Sequence, residues 1–413
     1  MLERARLPRH HPERAADALS VLEACTYRPS GSIVAAPTTS LPEAPGADRQ
    51  FDYRYSWLRD ASLGISVAAL LGNRSAAEQY LRFVVGLSLG GDPPTAPVTD
   101  VRGQPVPVER EIDGVAGWAG SLPIRVGNGA GGQVQHDALG LVMEGISVHL
   151  QTGATLDDDT WSLVRAAADR AASAALGPTN GIWEFREPRH LLSADIGRWI
   201  CLDRAVWIAR GWRPWARRRH WKKARDQLRD RVLGAIDAEG GLPQTYDGHA
   251  LPDASALMVV VFGMLSHRDY GADRLVQTTI NRLGVGPYLY RYEPGSDDGF
   301  TGKEGAFLPV CWWAVSALAI VGRLREARAR ADALCARLPR LLAEEVDPDT
   351  GESLGNIPLV WSHAEAARAM YVLDAASIRA RFGTATLWAW RIVRYARLRW
   401  PRHAVPAATT MRG

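Results

Sequence analysis

Three short segments carry side chains of the types that perform acid–base and polyol chemistry. The first is Phe51-Asp52-Tyr53-Arg54-Tyr55-Ser56-Trp57-Leu58-Arg59-Asp60. Its alternation ends at Ser56, a residue type suited to capping a helix, which places Arg59 and Asp60 in a first helical turn. An adjacent Arg and Asp beside aromatic rings supply fixed donors and acceptors next to an apolar platform, a combination suited to a polyhydroxyl ligand. A surface salt bridge at a helix start, worth about 0–1 kcal/mol, accounts for the same residues. The second segment is Gly181-Ile182-Trp183-Glu184-Phe185-Arg186. A carboxylate between two aromatic residues is expected to be partly desolvated and to hold a proton near neutrality, as a general acid must. Pairing of Glu184 with Arg186 or Arg189 is the competing reading. The third is Glu344-Glu345-Val346-Asp347. No His or Cys accompanies these acids to make a transition-metal site, and the D-x-D-x-D-G-x5-E calcium pattern is absent, so a solvated acidic turn is the plainer reading.

A fourth motif is set aside. Gly127, Gly129 and Gly132 satisfy G-x-G-x-x-G after a short PIRV strand. A dinucleotide site needs a second strand ending in an acid some twenty residues on, whereas this chain continues as helix to about Leu150. A glycine-rich turn is the better description.

These segments need a scaffold, and composition bounds it. The chain has 413 residues, 46% hydrophobic and 23% charged, with a net charge of +4. That is a soluble globular protein of one to three domains, with too slight a basic excess to imply a nucleic-acid partner. Four scattered cysteines with no C-x-x-C pair exclude a zinc ribbon or disulfide scaffold and suit a reducing compartment. No signal peptide is visible in the first twenty residues. The most apolar stretch, 306–322, is shorter than a bilayer span and contains Pro309, so the expectation is a cytoplasmic protein with no integral membrane segment. Fifteen Trp is a high content; most are expected in the core, the rest on sugar-stacking surfaces.

Helical periodicity dominates. It predicts about twelve helices, at 12–26, 57–72, 75–89, 132–152, 157–176, 193–211, 217–237, 253–266, 270–283, 305–321, 323–341 and 361–374. The segment 306–321 is apolar all round, as an inner helix is. The segment 323–341 is amphipathic, with Leu334, Leu338 and Leu341 on one stripe. That alternation predicts an all-α fold of two concentric layers, six helix pairs closing an α/α toroid. Three long Gly- and Pro-rich loops, 28–52, 89–131 and 284–304, interrupt it, the second with a β-hairpin. Loops of this length in a compact helical domain are usually functional.

Taken in order, YRPSGSIVAAPTTSLPEAPGADRQFDYRYSWLRDAS, RVGNGAGGQVQHD, GIWEFREPRH, CLDRAV, GKEGAFLPVCWW and LLAEEVDPDTGESLGNIPLVWSHAEA resemble the catalytic domain of family 15 glycoside hydrolases, the glucoamylases and bacterial trehalase-like enzymes. The resemblance covers about residues 13 to 375. It implies an (α/α)6 barrel and exo-acting, inverting hydrolysis of a terminal α-linked glucose. The implied partner is a small oligosaccharide or disaccharide, and no metal or organic cofactor is implied. By position it implies Glu184 as general acid and Glu344 as general base. Tyr53, Trp57, Arg59, Asp60, Trp183, Arg291 and Trp361 are implied to bind the sugar, with Arg291 reaching the leaving glucose.

The chain also departs from the family. The barrel is expected to begin almost at Met1, after an extension over 1–12, without the N-terminal β-sandwich domain of bacterial relatives. SADIGRW stands at 193–199 where relatives often have a Ser-Lys pair, and Leu359 replaces a common Gln. The segment 376–413 is rich in Arg and Trp and contains no acidic residue, so it reads either as a helix covering the barrel or as a basic amphipathic surface segment. An alternative function is a shortened barrel recruited to a non-sugar reaction or to binding.

Overall fold

The computed structural model describes residues 5–88, 92–173, 177–247, 251–294 and 299–399, with side chains to residue 394. Amphipathic and apolar helices alternate along the chain. The amphipathic ones are α1 (Pro12–Ala24), α3 (Arg74–Gly86), α5 (Asp158–Ala172), α7 (Arg219–Gly234), α9 (Ala272–Leu283) and α11 (Leu324–Arg337). The others are α2 (Leu58–Leu71), α4 (Ala138–Gln151), α6 (Leu192–Trp212), α8 (Met258–Val261, continuing a 3-10 turn Ala254–Leu257), α10 (Leu308–Val321) and α12 (Val360–Arg399). Every residue of α2 is buried, whereas α7 buries only Trp221, Leu228 and Val232. Helices apolar all round must be enclosed and striped helices lie outside. The inner helices pack side to side, α2 on α4, α4 on α6 and α10 on α12, and α12 returns to α2 to close the ring. The architecture is the (α/α)6 barrel.

Backbone contact tightens one inner crossing. A Cβ on Gly140 of α4 would fall 2.1 Å from the carbonyl oxygen of Gly197 of α6, an approach only glycine permits. The barrel axis is polar as well as packed. Glu144 of α4 accepts from Arg204 of α6 at 2.7 Å and lies 3.6 Å from Arg368 of α12. Arg204 also donates to the Phe262 carbonyl just after α8, and Arg368 to the Ser66 hydroxyl of α2. Burial pushes the Glu144 carboxyl up, but the two guanidinium groups outweigh it and hold it below the usual range.

Several boundaries differ from expectation for local reasons. Ser56 is not a helix cap: it pairs with Thr99 in a short strand, and Trp57 precedes the helix. The loop 89–131 does contain a hairpin, Arg110–Ile112 with Ile124–Val126; residues 89–91 lie outside the described residues. The helix expected from 132 starts at Ala138, and the helix over 253–266 shrinks to one turn beyond its 3-10 start, with Gly263 left-handed at φ 87°. Helix α11 ends at Arg337, leaving Leu341 52% exposed. The helix expected to end at 374 runs to Arg399, broken at Gly383 (φ 83°, ψ 172°). Beyond the break Trp390 packs on Tyr371 at 5.6 Å and Arg394 donates to the Leu70 carbonyl. The described part of the basic segment is thus helical, with Arg394 reaching the end of α2, while Trp388 and Ile392 stay exposed. Residues 1–4 and 400–413 lie outside the described residues. Among the described residues no helix is long and apolar enough to cross a membrane.

Removing one partner from a buried ion pair costs about 3–5 kcal/mol, because the remaining charge is left uncompensated. Glu144→Ala leaves Arg204 with Asp203 and Arg368 with Glu365 as remaining partners, so its loss of stability in urea unfolding should fall at or below the low end of that range.

Candidate active site

The inner helices all begin at the same end of the barrel, and the chemistry-bearing residues lie on the segments that enter them. Tyr53 and Trp57 precede α2, and Arg59 and Asp60 are in its first turn. Gln133 and Gln135 precede α4; Trp183 and Glu184 precede α6; Asp253 precedes α8; Arg291, Glu304 and Phe307 precede α10; Glu344 and Trp361 flank the start of α12.

Glu184 has φ 62°, one of four non-glycine residues in the left-handed region among those described. Such a conformation costs an L-residue roughly 1–2 kcal/mol. Its neighbours show what it achieves. Trp183 and Phe185 both turn into the core, Trp183 donating to Asp253 at 2.9 Å and stacking 6.1 Å from Trp361, Phe185 packing on Tyr292. The backbone reversal between them directs Glu184 outward into the cavity. Oε1 of Glu184 accepts from Trp57 Nε1 at 2.8 Å, Arg59 Nη1 at 3.1 Å and Gln135 Nε2 at 3.2 Å. All three donors meet Oε1, and among the described residues none meets Oε2. The Glu184 side chain is 22% exposed, and Trp183 shares the cavity wall with it while Phe185 packs into the core. Arg186 does not pair with it, turning to Glu109 at 3.1 Å.

Glu344 lines the same cavity. Its backbone precedes the strand Glu345–Val346, which pairs with Ala306–Phe307 on one side and Ser353–Leu354 on the other. The Tyr53 hydroxyl donates to Oε1 of Glu344 at 2.9 Å. The reading of 344–347 as a solvated acidic turn is overturned for its first two residues, since Glu344 is 4% and Glu345 0% exposed. Burial, and then the neighbouring charge of Glu43, push Glu344 well above the usual carboxyl range against the pull of Arg291 and the Tyr53 hydroxyl. Glu344 is the more deeply buried of the two, and its neighbours are the polar and charged groups Tyr53, Glu43 and Arg291.

The cavity wall includes Tyr53, Arg59, Trp183, Glu184, Arg291, Glu344 and Trp361. Trp57 and Asp60 lie behind it. Trp57 is 1% exposed and holds Glu184; Asp60 is 2% exposed and accepts from Arg59 Nε at 3.0 Å. The Arg59–Asp60 pair is thus buried, which excludes the surface salt bridge. The turn Gly129–Gly132 also faces the cavity. Arg291 forms a two-pronged pair with Glu304, which also accepts from Arg49 at 2.6 Å. Carboxylate oxygens of Glu43, Glu304 and Glu345 lie within 4.8 Å of one another, and Arg49 and Arg291 supply the positive charge facing them. Sequence reasoning did not single out Glu43, Gln133, Gln135, Asp253 or Glu304. An isolated Glu43 in a Pro-rich loop carries no local signal, and neither Gln is of a titratable type.

A double ring of helices with two carboxyl groups lining one pocket at one end defines a helical-barrel protein. The model for glycosyl hydrolases family 15 matches residues 15–329, and the chain belongs to that family. The trehalase of Mycolicibacterium smegmatis is 35% identical over 369 residues, 86% of this chain and 54% of its own length. The trehalase of Thermoplasma acidophilum is 32% identical over 374 residues, 89% of this chain and 63% of its own. The chain therefore spans between about half and two-thirds of these relatives. Among solved structures, a glycosidase variant in complex with glucose aligns with TM-score 0.68 at 19% identity, covering 87% of this chain and 96% of that one. A bacterial glucoamylase complexed with acarbose aligns with TM-score 0.65 at 17% identity, covering 92% and 57%.

The left-handed backbone at Glu184 gives a stability test independent of activity. Glycine tolerates this conformation and alanine does not, so Glu184→Gly should be more stable than Glu184→Ala by about 1 kcal/mol in urea unfolding.

Proposed function

We propose that this chain is an inverting α-glucoside hydrolase of the trehalase type, with Glu184 as general acid and Glu344 as general base. The observation that supports the reading is that both carboxyl groups line one cavity, each tethered through Oε1, with no hydrogen bond to either Oε2 among the described residues. The trehalase relatives make trehalose the first substrate to test.

In this mechanism one glucose ring lies between the carboxyls, against Trp183 and Trp361, with its hydroxyls on Arg59 and Arg291. Protonated Glu184 gives its Oε2 hydrogen to the glycosidic oxygen as the C1–O bond breaks. Water attacks C1 from the opposite face and yields its proton to Glu344. Arg59 holds Glu184 in place, so it positions the acid as well as contacting the sugar. Asp60 and Trp57 act from behind the wall, as positioning residues.

Inversion at one anomeric carbon of trehalose gives one β-glucose and one α-glucose per turnover. Proton NMR of the initial products should show equal anomers, whereas α-glucose alone would mean double displacement. Glu184→Gln and Glu344→Gln should each lower kcat/KM by about 10²–10⁴, and Arg59→Ala should lower it through both of its roles. No turnover of trehalose, maltose or isomaltose by the wild-type protein would favour a barrel recruited to another task.

The pH dependence follows from the burial of Glu344. The base must be ionised, and its folded pKa lies above the ordinary 4.5. The ascending acid limb of kcat/KM should therefore sit at higher pH than an unperturbed glutamate would give.

A further inference from the structure

We propose that Glu43 is a positioning residue for the general base: Glu43 and Glu344 form a carboxyl pair that shares one proton, and Glu344 acts as base only while Glu43 holds it. This inference rests on the reading of Glu344 as the base.

The geometry joins the two groups. Glu43 is 2% and Glu344 4% exposed. One hydroxyl, that of Tyr53, reaches both, at 2.9 Å from Glu344 Oε1 and 3.4 Å from Glu43 Oε1. It has a single hydrogen, so it satisfies one carboxylate at a time. Oε2 of Glu43 and Oε2 of Glu344 are both buried with no hydrogen-bond partner among the described residues. Both side chains crowd the same backbone: a Cβ on Gly355 would fall 3.2 Å from Glu344 Oε2 and 3.3 Å from Glu43 Cγ.

The surrounding charges make two ionised carboxylates here untenable. Glu304 and Glu345 face Glu43, and Arg49 and Arg291 stand among them, with Tyr53 and Glu184 on the cavity side. Glu304 engages both guanidinium groups. Four buried carboxyls, Glu43, Glu304, Glu344 and Glu345, thus meet two fixed positive charges. Fully ionised, the cluster would carry an uncompensated charge of −2 away from water, which burial does not tolerate. A proton on one member of the Glu43–Glu344 pair removes the repulsion and turns that carboxyl into a donor for the other. Burial pushes the Glu43 carboxyl up to about 7, within the working range for such an exchange. Titration then belongs to the pair rather than to either residue.

The test is Glu43→Gln with trehalose as substrate, read as the position of the acid limb of kcat/KM rather than as the height of its plateau. In the active state protonated Glu43 donates to Glu344 and holds it ionised, so replacing that O–H by the weaker amide donor should move the ascending limb to higher pH by about half a unit; a move to lower pH would mean that Glu43 stands there as a charge and holds no proton, and would overturn the proposal. A limb that stays in place while activity falls would mean that Glu43 only packs, and would overturn the proposal. Carbon-13 NMR of the wild-type protein with labelled glutamate serves independently of this variant's folding and of any turnover. A shared proton makes both carboxyl resonances move in the same two pH steps; independent single-step titrations overturn the pairing. If the pair titrates together yet Glu344→Gln keeps full activity, the base assignment has failed and the pairing has not.

Discussion

The Arg59 guanidinium is buried against four groups from three segments of the chain. It donates to Asp60 beside it, to the Ile182 carbonyl and to Glu184, and its charge lies 4.5 Å from the centre of the Trp361 ring. One rigid, permanently charged group thereby fixes the start of α2, the left-handed turn before α6 and the start of α12 in a single geometry. A lysine could not replace it, because several directed donors in one plane are required. The orientation of the general acid in the proposed mechanism follows from this contact and from Trp57.

The barrel sets up that meeting. Because the outer and inner helices alternate, every inner helix runs the same way and their N-terminal ends converge. Each such end carries partial positive charge, which suits a pocket crowded with carboxyl groups. Halfway down the axis, Glu144, Arg204, Glu365 and Arg368 tie α4, α6 and α12 together with oriented bonds. Apolar packing alone tolerates small slips between helices; paired charges in a low-dielectric interior do not.

The cavity itself is governed by an excess of acid over base. Arg49 and Arg291 are both drawn to Glu304, leaving Glu43, Glu344 and Glu345 to settle their charge with protons and a few donors, among them the Tyr53 hydroxyl and the Gly305 amide. Burial raises all three. The ionisation of each of these carboxyls is therefore coupled to that of its neighbours.

Periodicity along the chain was enough to determine the all-helical class, the count of twelve helices and their alternation, because apolar spacing depends only on which face each helix buries. The segments bearing Arg59, Asp60, Glu184 and Glu344 were legible too, since Arg, Asp and Glu beside aromatic rings are local patterns. Tertiary structure alone decided the rest. It decided the backbone reversal at Glu184, because a positive φ cannot be read from residue type at a glutamate. It placed Trp57 and Asp60 behind the cavity wall. It brought Glu43 to Glu344 across 301 positions of sequence and buried Glu344 more deeply than Glu184. Ionisation depends on what surrounds a side chain in three dimensions, and those neighbours come from loops that are distant in sequence.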